Sequence, residues 1–386
     1  MKMITTKQLL TFCLSLLSSM YTYAQQVGHT TYTFTDVSRN NRQITTEIYY
    51  PATIAGNDTP IMPGSFPLLV FGHGFVMVYS AYDNIWNTLV PEGYIVALPT
   101  TEGSFAPVHN DFGLDLKFLV TQMQSTGAGT SIPAASVGLT SAIMGHSMGG
   151  GSSFLSAAGN TNITTMVTFA AANTNPSSVT AAAQVSVPTL IFSGANDCVA
   201  PPAQHQDLMY DALTAAYKTQ IYITGGGHCY FANNNLNCTF GESTCTPSPS
   251  ITRAAQQDAT NDLMKLWLSY YLKGDCTSSV AFQDSLAASN RITFRQNQSI
   301  ACITALSENH SHSDFNIFPN PANDNVHITA TDEPIHSVSI YDAKGRLVYT
   351  ANIHDVTSFI LNLSTYHEGL YCAVINNRVS KTFMVN

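Results

Sequence analysis

The nine residues Met144-Gly145-His146-Ser147-Met148-Gly149-Gly150-Gly151-Ser152 constrain this chain more than any other stretch. Val137 to Ile143 before them is a β-branched, apolar run that reads as a buried strand, and Ser153 to Ala158 after them reads as a helix. A strand that becomes a helix with almost no loop between must turn sharply. The positions two before and two after Ser147 are then crowded and cannot carry a Cβ, which accounts for Gly145 and Gly149. Such a turn lifts the Ser147 hydroxyl off the sheet with the following backbone N–H groups facing the same side.

The rest of the first 300 residues repeats the alternation. Residues Tyr32 to Tyr50 alternate apolar and polar, as two antiparallel strands at a sheet edge would. Leu68-Leu69-Val70-Phe71 is a continuous apolar strand that stops at Gly72-His73-Gly74-Phe75. Tyr82 to Pro91 predicts a helix, Tyr94 to Leu98 a strand, and Asn110 to Gln124 a helix with Phe112, Leu116, Leu119 and Val120 at helical spacing. Thr165 to Phe169 and Thr189 to Phe192 predict two further strands, the second ending in Ser193-Gly194-Ala195-Asn196-Asp197. Ile221-Tyr222-Ile223 predicts the last one, ending in Gly225-Gly226-Gly227-His228, and Asp258 to Leu272 an amphipathic helix that packs back on the sheet. The expectation is an α/β fold: a mostly parallel sheet with helices on both faces.

Three chemically capable side chains follow predicted strands: Ser147, Asp197 and His228. Parallel sheets place ligands at the carboxyl ends of their strands, so all three are expected at one end. Strand, Gly-x-Ser-x-Gly and helix, with Ser, Asp and His in that chain order, resembles the nucleophile elbow and triad of α/β-hydrolases. The resemblance implies Ser147 as nucleophile, His228 as base and Asp197 as the group that orients the base. It also implies two oxyanion donors, the backbone N–H groups of Phe75 and Met148. His73 is expected to brace its loop, and Asp207 and Asp211 fall in a predicted helix and are not placed to act as the acid.

Compartment follows from the N-terminus. Lys2 and Lys7, an apolar run from Leu9 to Leu17, and Tyr23-Ala24 predict a secretory signal peptide over residues 1–24, cleaved after Ala24. No later segment reaches about 18 apolar residues, so no membrane span is expected. Removal of the signal leaves 13 basic and 24 acidic residues, an acidic balance that excludes a phosphate backbone as partner.

Export makes the cysteines disulfide candidates. Cys198 follows Asp197 and Cys229 follows His228, so contact between acid and base would bring these cysteines together. The expected pairs are Cys198–Cys229, Cys238–Cys245 and Cys276–Cys302, with re-pairing among the last four left open and Cys372 the odd one, a buried strand residue.

After Cys302 the character changes. Residues 304–314 read as a polar linker containing His310 and His312. From Phe315 the chain alternates in short strands, at Val326 to Ile328, Val338 to Tyr341, Leu347 to Tyr349, Phe359 to Leu361 and Leu370 to Val374, with turns such as Lys344-Gly345 between. A small all-β sandwich is expected over residues 315–386.

Residues 25–303 resemble the secreted polyester hydrolases of the cutinase and polyethylene terephthalate (PET) hydrolase group. The matching residues are Gly145-His146-Ser147-Met148-Gly149-Gly150, Pro188 to Phe192, Asn196-Asp197 with Ala200-Pro201, and Gly226-Gly227-His228. The resemblance implies ester hydrolysis without a cofactor and a disulfide near the end of the domain, as for Cys276–Cys302. It departs in two places. The loop Ala170 to Asn175 lacks the family's usual tryptophan, and Asn233 to Pro249 is longer than usual. Residues 315–386 resemble the C-terminal sorting domain of the type IX secretion system, on Phe318-Pro319-Asn320-Pro321, Val338 to Asp342 with Lys344-Gly345-Arg346, and Glu368-Gly369-Leu370-Tyr371. The whole therefore reads as a monomeric exported serine esterase whose partners are a polyester and the type IX machinery. The competing expectations are a carboxylesterase or lipase for soluble or lipid esters, and a binding protein that has kept the fold without the chemistry.

Overall fold

Alternate burial organises the large sheet. In Leu68-Leu69-Val70-Phe71, Leu68 and Val70 enter one apolar cluster while Leu69 and Phe71 enter the other, on the opposite face. Side chains alternate across a strand, so a run that is apolar throughout must be covered on both sides. The computed structural model describes residues 26–301, 315–331, 334–343, 346–376 and 379–386. The predicted signal peptide, the linker with its two histidines, Cys302 and the Lys344-Gly345 turn lie outside the described residues.

The chain divides into two compact units, residues 1–302 and 303–386. In the first, β1 (Gln26–Asp36), β2 (Arg42–Ala52), β3 (Gly56–Asn57), β4 (Phe66–Gly72), β5 (Ile95–Pro99), β6 (Val137–His146), β7 (Thr165–Phe169), β8 (Thr189–Gly194), β9 (Lys218–Ile223) and β10 (Ile292–Gln296) form one sheet. Its order is β10-β9-β8-β7-β6-β4-β5-β2-β1-β3. The strands from β5 through β4 and β6 to β9 run parallel, with β2 and β10 antiparallel at the flanks. The helices are α1 (Asp83–Leu89), α2 (His109–Thr126), α3 (Met148–Ala157), α4 (Ser178–Ala182), α5 (Gln206–Ala212), α6 (Leu236–Glu242), α7 (Arg253–Lys273) and α8 (Cys276–Ala288).

α7 buries Leu263, Met264, Trp267 and Leu268 on one face of the sheet, and the Trp267 indole N–H donates to Thr165 Oγ1 at 2.8 Å. α2 and α3 cover the other face through Leu116, Leu119, Val120 and Phe154. β10 and α8 are among the elements that add to the sequence reading. β10 pairs with β9, so Ile221–Ile223 is not the last strand, and α8 packs on α7 through the fully buried Phe282, which lies 5.4 Å ring to ring from Trp267. Both are short and half-polar, so their pattern alone is weak.

The second unit contains β11 (Phe315–Phe318), β12 (Asn325–Ala330) and β15 (Ser358–Asn362) in one sheet, and β13 (Ile335–Asp342), β14 (Leu347–Val356), β16 (Gly369–Ile375) and β17 (Val379–Val385) in another, in the orders β11-β12-β15 and β14-β13-β16-β17. Val326, Ile328, Ile340, Ala373 and Phe383 share its core.

Candidate active site

The turn after β6 is built on missing side chains. A Cβ on Gly145 would lie 2.4 Å from the Gly149 carbonyl oxygen, and one on Gly149 would lie 2.1 Å from that of Gly72. α3 can therefore start directly at Met148, earlier than its sequence pattern indicates. The price is a strained serine: Ser147 has positive φ, 55°, with ψ −118°, a region L residues rarely adopt. Its backbone is pinned from both sides. The Ser147 N–H donates to Phe169 O at 2.9 Å, and the Ser147 carbonyl accepts from Gly151 N and Ala172 N at 3.0 and 2.9 Å.

Asp197 lies three residues past β8 and His228 five past β9, and the neighbouring strands bring them together. Ser147 Oγ–H donates to His228 Nε2 at 2.9 Å, and His228 Nδ1–H donates to Asp197 Oδ2 at 2.7 Å. The other Asp197 oxygen accepts the Val199 and Ala200 N–H groups, both at 2.8 Å. Burial raises the Asp197 pKa, but the His228 imidazole and these hydrogen bonds outweigh it and hold the carboxyl below its ordinary value. His228 and Asp197 are both buried. Asp207, by contrast, accepts from Gln220 and Tyr222 of β9 and makes no hydrogen bond with His228.

Met148 is the first residue of α3, so its N–H has no partner four residues back within the helix. Phe75 follows β4 in a loop that is held tightly. The Gly74 carbonyl accepts the Met77 N–H at 3.1 Å and lies 2.9 Å from His73 Nδ1. In a trans peptide the N–H points opposite to the C=O, so holding the Gly74 carbonyl aims the Phe75 N–H. His73 sits between the carbonyls of Gly74 and Thr101, and burial lowers its pKa. It braces this loop. The next residue, Val76, has φ 53°, a strained conformation for a β-branched residue. Its carbonyl accepts from Asn237 Nδ2 of α6 at 2.9 Å.

The disulfides differ from the expected pairing. Cys198 bonds Cys245 and Cys229 bonds Cys238; Cys198–Cys229 and Cys238–Cys245 do not form. The reason is the long segment after His228. It folds back as α6, where Glu242 Oε1 accepts the Cys229 N–H at 3.2 Å and Ser248 O accepts Asn196 Nδ2 at 2.9 Å. The segment thus lies against both the Asp197 loop and the His228 loop, and each loop is linked to it rather than to the other. Cys276 is disulfide-bonded, while its expected partner Cys302 lies outside the described residues. Cys372 is free and half-buried on β16, less enclosed than its strand pattern indicates.

Residues 19–245 match the family model described as PET hydrolase-like. The chain belongs to the PET hydrolase-like family. Its mostly parallel sheet with helices on both faces is the α/β-hydrolase fold, and the family is one of ester hydrolases. Residues 316–385 match the secretion system C-terminal sorting domain, of the type IX kind, which directs the protein out of the cell to its surface or surroundings. Among the described residues no helix is long and apolar enough to cross a membrane, and no group of three or more His, Cys, Asp or Glu side chains is placed to hold a metal.

In this PET hydrolase-like chain the loop Ala170 to Asn175, which carries no aromatic residue, is tied to His205: the Asn173 N–H donates to His205 Nδ1 at 2.8 Å. Nothing in the sequence marks Tyr82, or His146 before Ser147, as functional. Both prove to be buried beside the site, with the His146 ring 4.8 Å from that of His228. No spacing signal distinguishes them from core residues.

Proposed function

We propose that this protein is a secreted serine hydrolase of polyesters, with residues 25–303 as its catalytic domain. The observation that carries this reading is the hydrogen-bonded run from Ser147 through His228 to Asp197. His228 Nε2 takes the Ser147 proton as the hydroxyl attacks the acyl carbon, then returns it to the departing alcohol. Water then attacks the acyl-enzyme by the same path in reverse. Asp197, held ionised by its partners, keeps the His228 proton on Nδ1 and stabilises the imidazolium. The Phe75 and Met148 N–H groups donate to the tetrahedral oxygen and stabilise the charge that develops on it.

The polymer part of the proposal is supported by the family and by exposed apolar side chains on the segments that flank the site. Phe75 and Phe105 stand 6.3 Å apart in edge-to-face contact, Phe105 is 83% exposed, and Leu236 and Phe240 on α6 are 84% and 80% exposed. Apolar surface of this kind suits an aromatic or aliphatic polyester better than a small polar ester.

The test incubates the secreted protein and its Ser147→Ala variant with a short activated soluble ester and with an amorphous aromatic polyester film, and measures released acid. Ser147-dependent release from both is expected, with the variant's turnover down by a factor on the order of 10⁶. Release from the soluble ester alone would replace the polyester reading by a carboxylesterase, and release from neither would remove the enzymatic one.

A further inference from the structure

Tyr82 is fully buried, and its hydroxyl touches three groups: the Gly74 N–H at 2.7 Å, His146 Nδ1 at 2.9 Å and Met77 Sδ at 3.1 Å. His146 is also fully buried, and its Nε2 lies 3.0 Å from the carbonyl oxygen of His228. These contacts admit one consistent arrangement of protons. The Gly74 N–H can only donate, so the Tyr82 oxygen accepts it. The Tyr82 proton has two possible acceptors, and an imidazole nitrogen is much stronger than a thioether. It goes to His146 Nδ1. The ring then carries its proton on Nε2 and donates to the His228 carbonyl. Burial holds the His146 pKa down to about 3, which keeps the ring in this neutral form.

The resulting chain runs from Gly74 through Tyr82 and His146 to His228, in one direction and wholly inside the protein. It joins the three parts that the proposed chemistry needs in register. Gly74 precedes the oxyanion donor Phe75, His146 precedes the nucleophile, and the chain ends on the backbone of the base. We propose that Tyr82 and His146 are positioning residues which fix the oxyanion loop and the base loop relative to Ser147. The inference rests on the serine hydrolase reading above. Neither side chain touches the reacting atoms. Tyr82 holds the His73–Gly74 peptide, which adjoins the Gly74–Phe75 peptide carrying the Phe75 N–H and so restricts how that N–H can turn, while His146 holds the His228 backbone, and hence the approach of Nε2 to Oγ.

The experiment uses the full secreted chain and four variants, Tyr82→Phe, His146→Leu, His146→Gln and the Tyr82→Phe/His146→Leu double. kcat and KM are measured on a soluble activated ester, and inhibition by an alkylboronic acid reports on the tetrahedral state, because its adduct with Ser147 places an oxygen at the oxyanion position. Tyr82→Phe should lower kcat about ten- to thirtyfold with KM nearly unchanged, the scale of one lost buried hydrogen bond felt in the transition state. The boronic acid should weaken in the same proportion. His146→Gln, which retains a donor toward the His228 carbonyl, should keep more activity than His146→Leu. The double variant should be no worse than His146→Leu alone, because both changes break one chain. The inference is overturned if kcat stays at the parent value, if only KM rises, if the boronic acid is unaffected, or if the two losses multiply. Should Tyr82→Phe fail to fold, as thermal melting would show, the order of His146→Gln against His146→Leu decides. An active Ser147→Ala variant would instead remove the reading beneath, whatever Tyr82→Phe does.

Discussion

The two halves of the site are held by different means. Around Ser147 and the β4 loop, the chain is fixed by contacts between backbones that only glycine permits and by buried hydrogen bonds. Around Asp197 and His228, two disulfides secure the loops to the segment that follows. Close backbone packing cannot yield without displacing the sheet itself, because the atoms opposite Gly149 belong to β4. A disulfide acts mainly by restricting the unfolded chain. Damage on the first side should therefore appear in catalysis and folding together, and damage on the second chiefly in stability.

Gly149→Ala tests this contrast most severely. Its Cβ has no room, so either the protein fails to accumulate or the Ser147 turn shifts and turnover falls by more than about a hundredfold, as misplacement by an ångström does. A soluble variant with near-normal kcat would show that the elbow gives way easily. Next comes Cys198→Ser/Cys245→Ser. The linked residues are 47 apart, for which loop-closure entropy gives about 4 kcal/mol of lost stability in denaturant unfolding, with a fall in kcat much smaller than that of Gly149→Ala. The Cys229→Ser/Cys238→Ser pair spans only 9 residues and should cost less, about 2.5 kcal/mol on the same basis. If removing either bond abolishes activity while the fold persists, the two sides are not held as differently as their contacts indicate.

A further effect concerns pH. His146 has its pKa lowered from 6.5 to about 3 by burial, so below pH 6.5 the unfolded chain binds a proton that the native chain does not. Its contribution to stability is thus lost progressively as the pH falls from about 6.5 toward 3. His146→Gln should flatten the decline of melting temperature across that window, and an unchanged slope would show that His146 is not the group that titrates. Asp197 behaves with the same sign at lower pH. Its lowered pKa means that its contribution is present above the ordinary carboxyl value and disappears as the pH falls through the native one.

Much of this architecture was legible in one dimension. Ser147, Asp197 and His228 each follow a strand, and in a parallel sheet the carboxyl ends of neighbouring strands share an edge. Chain order and strand ends are linear properties, so they survive the step into three dimensions, as do the glycines at 145 and 149 and the alternation of Leu68 to Phe71. The second unit announced itself similarly through short alternating strands, although β11 and β17 at its ends did not. The disulfide partners were not legible. Cys198 and Cys229 adjoin residues in contact, yet both bond the segment after His228, because that segment folds back over the two loops and carries Cys238 and Cys245 to them. Tyr82 and His146 were equally hidden. A tyrosine at helical spacing and a histidine within a turn look like core, and their link depends on three hydrogen bonds between residues as far apart as 74, 82, 146 and 228. The sequence by itself determined the fold class, the export of the chain and which side chains meet at the sheet's edge. Which cysteines pair, where α6 lies and which buried groups hold the loops in place were decided only by tertiary packing, since such contacts depend on distances that no local pattern encodes.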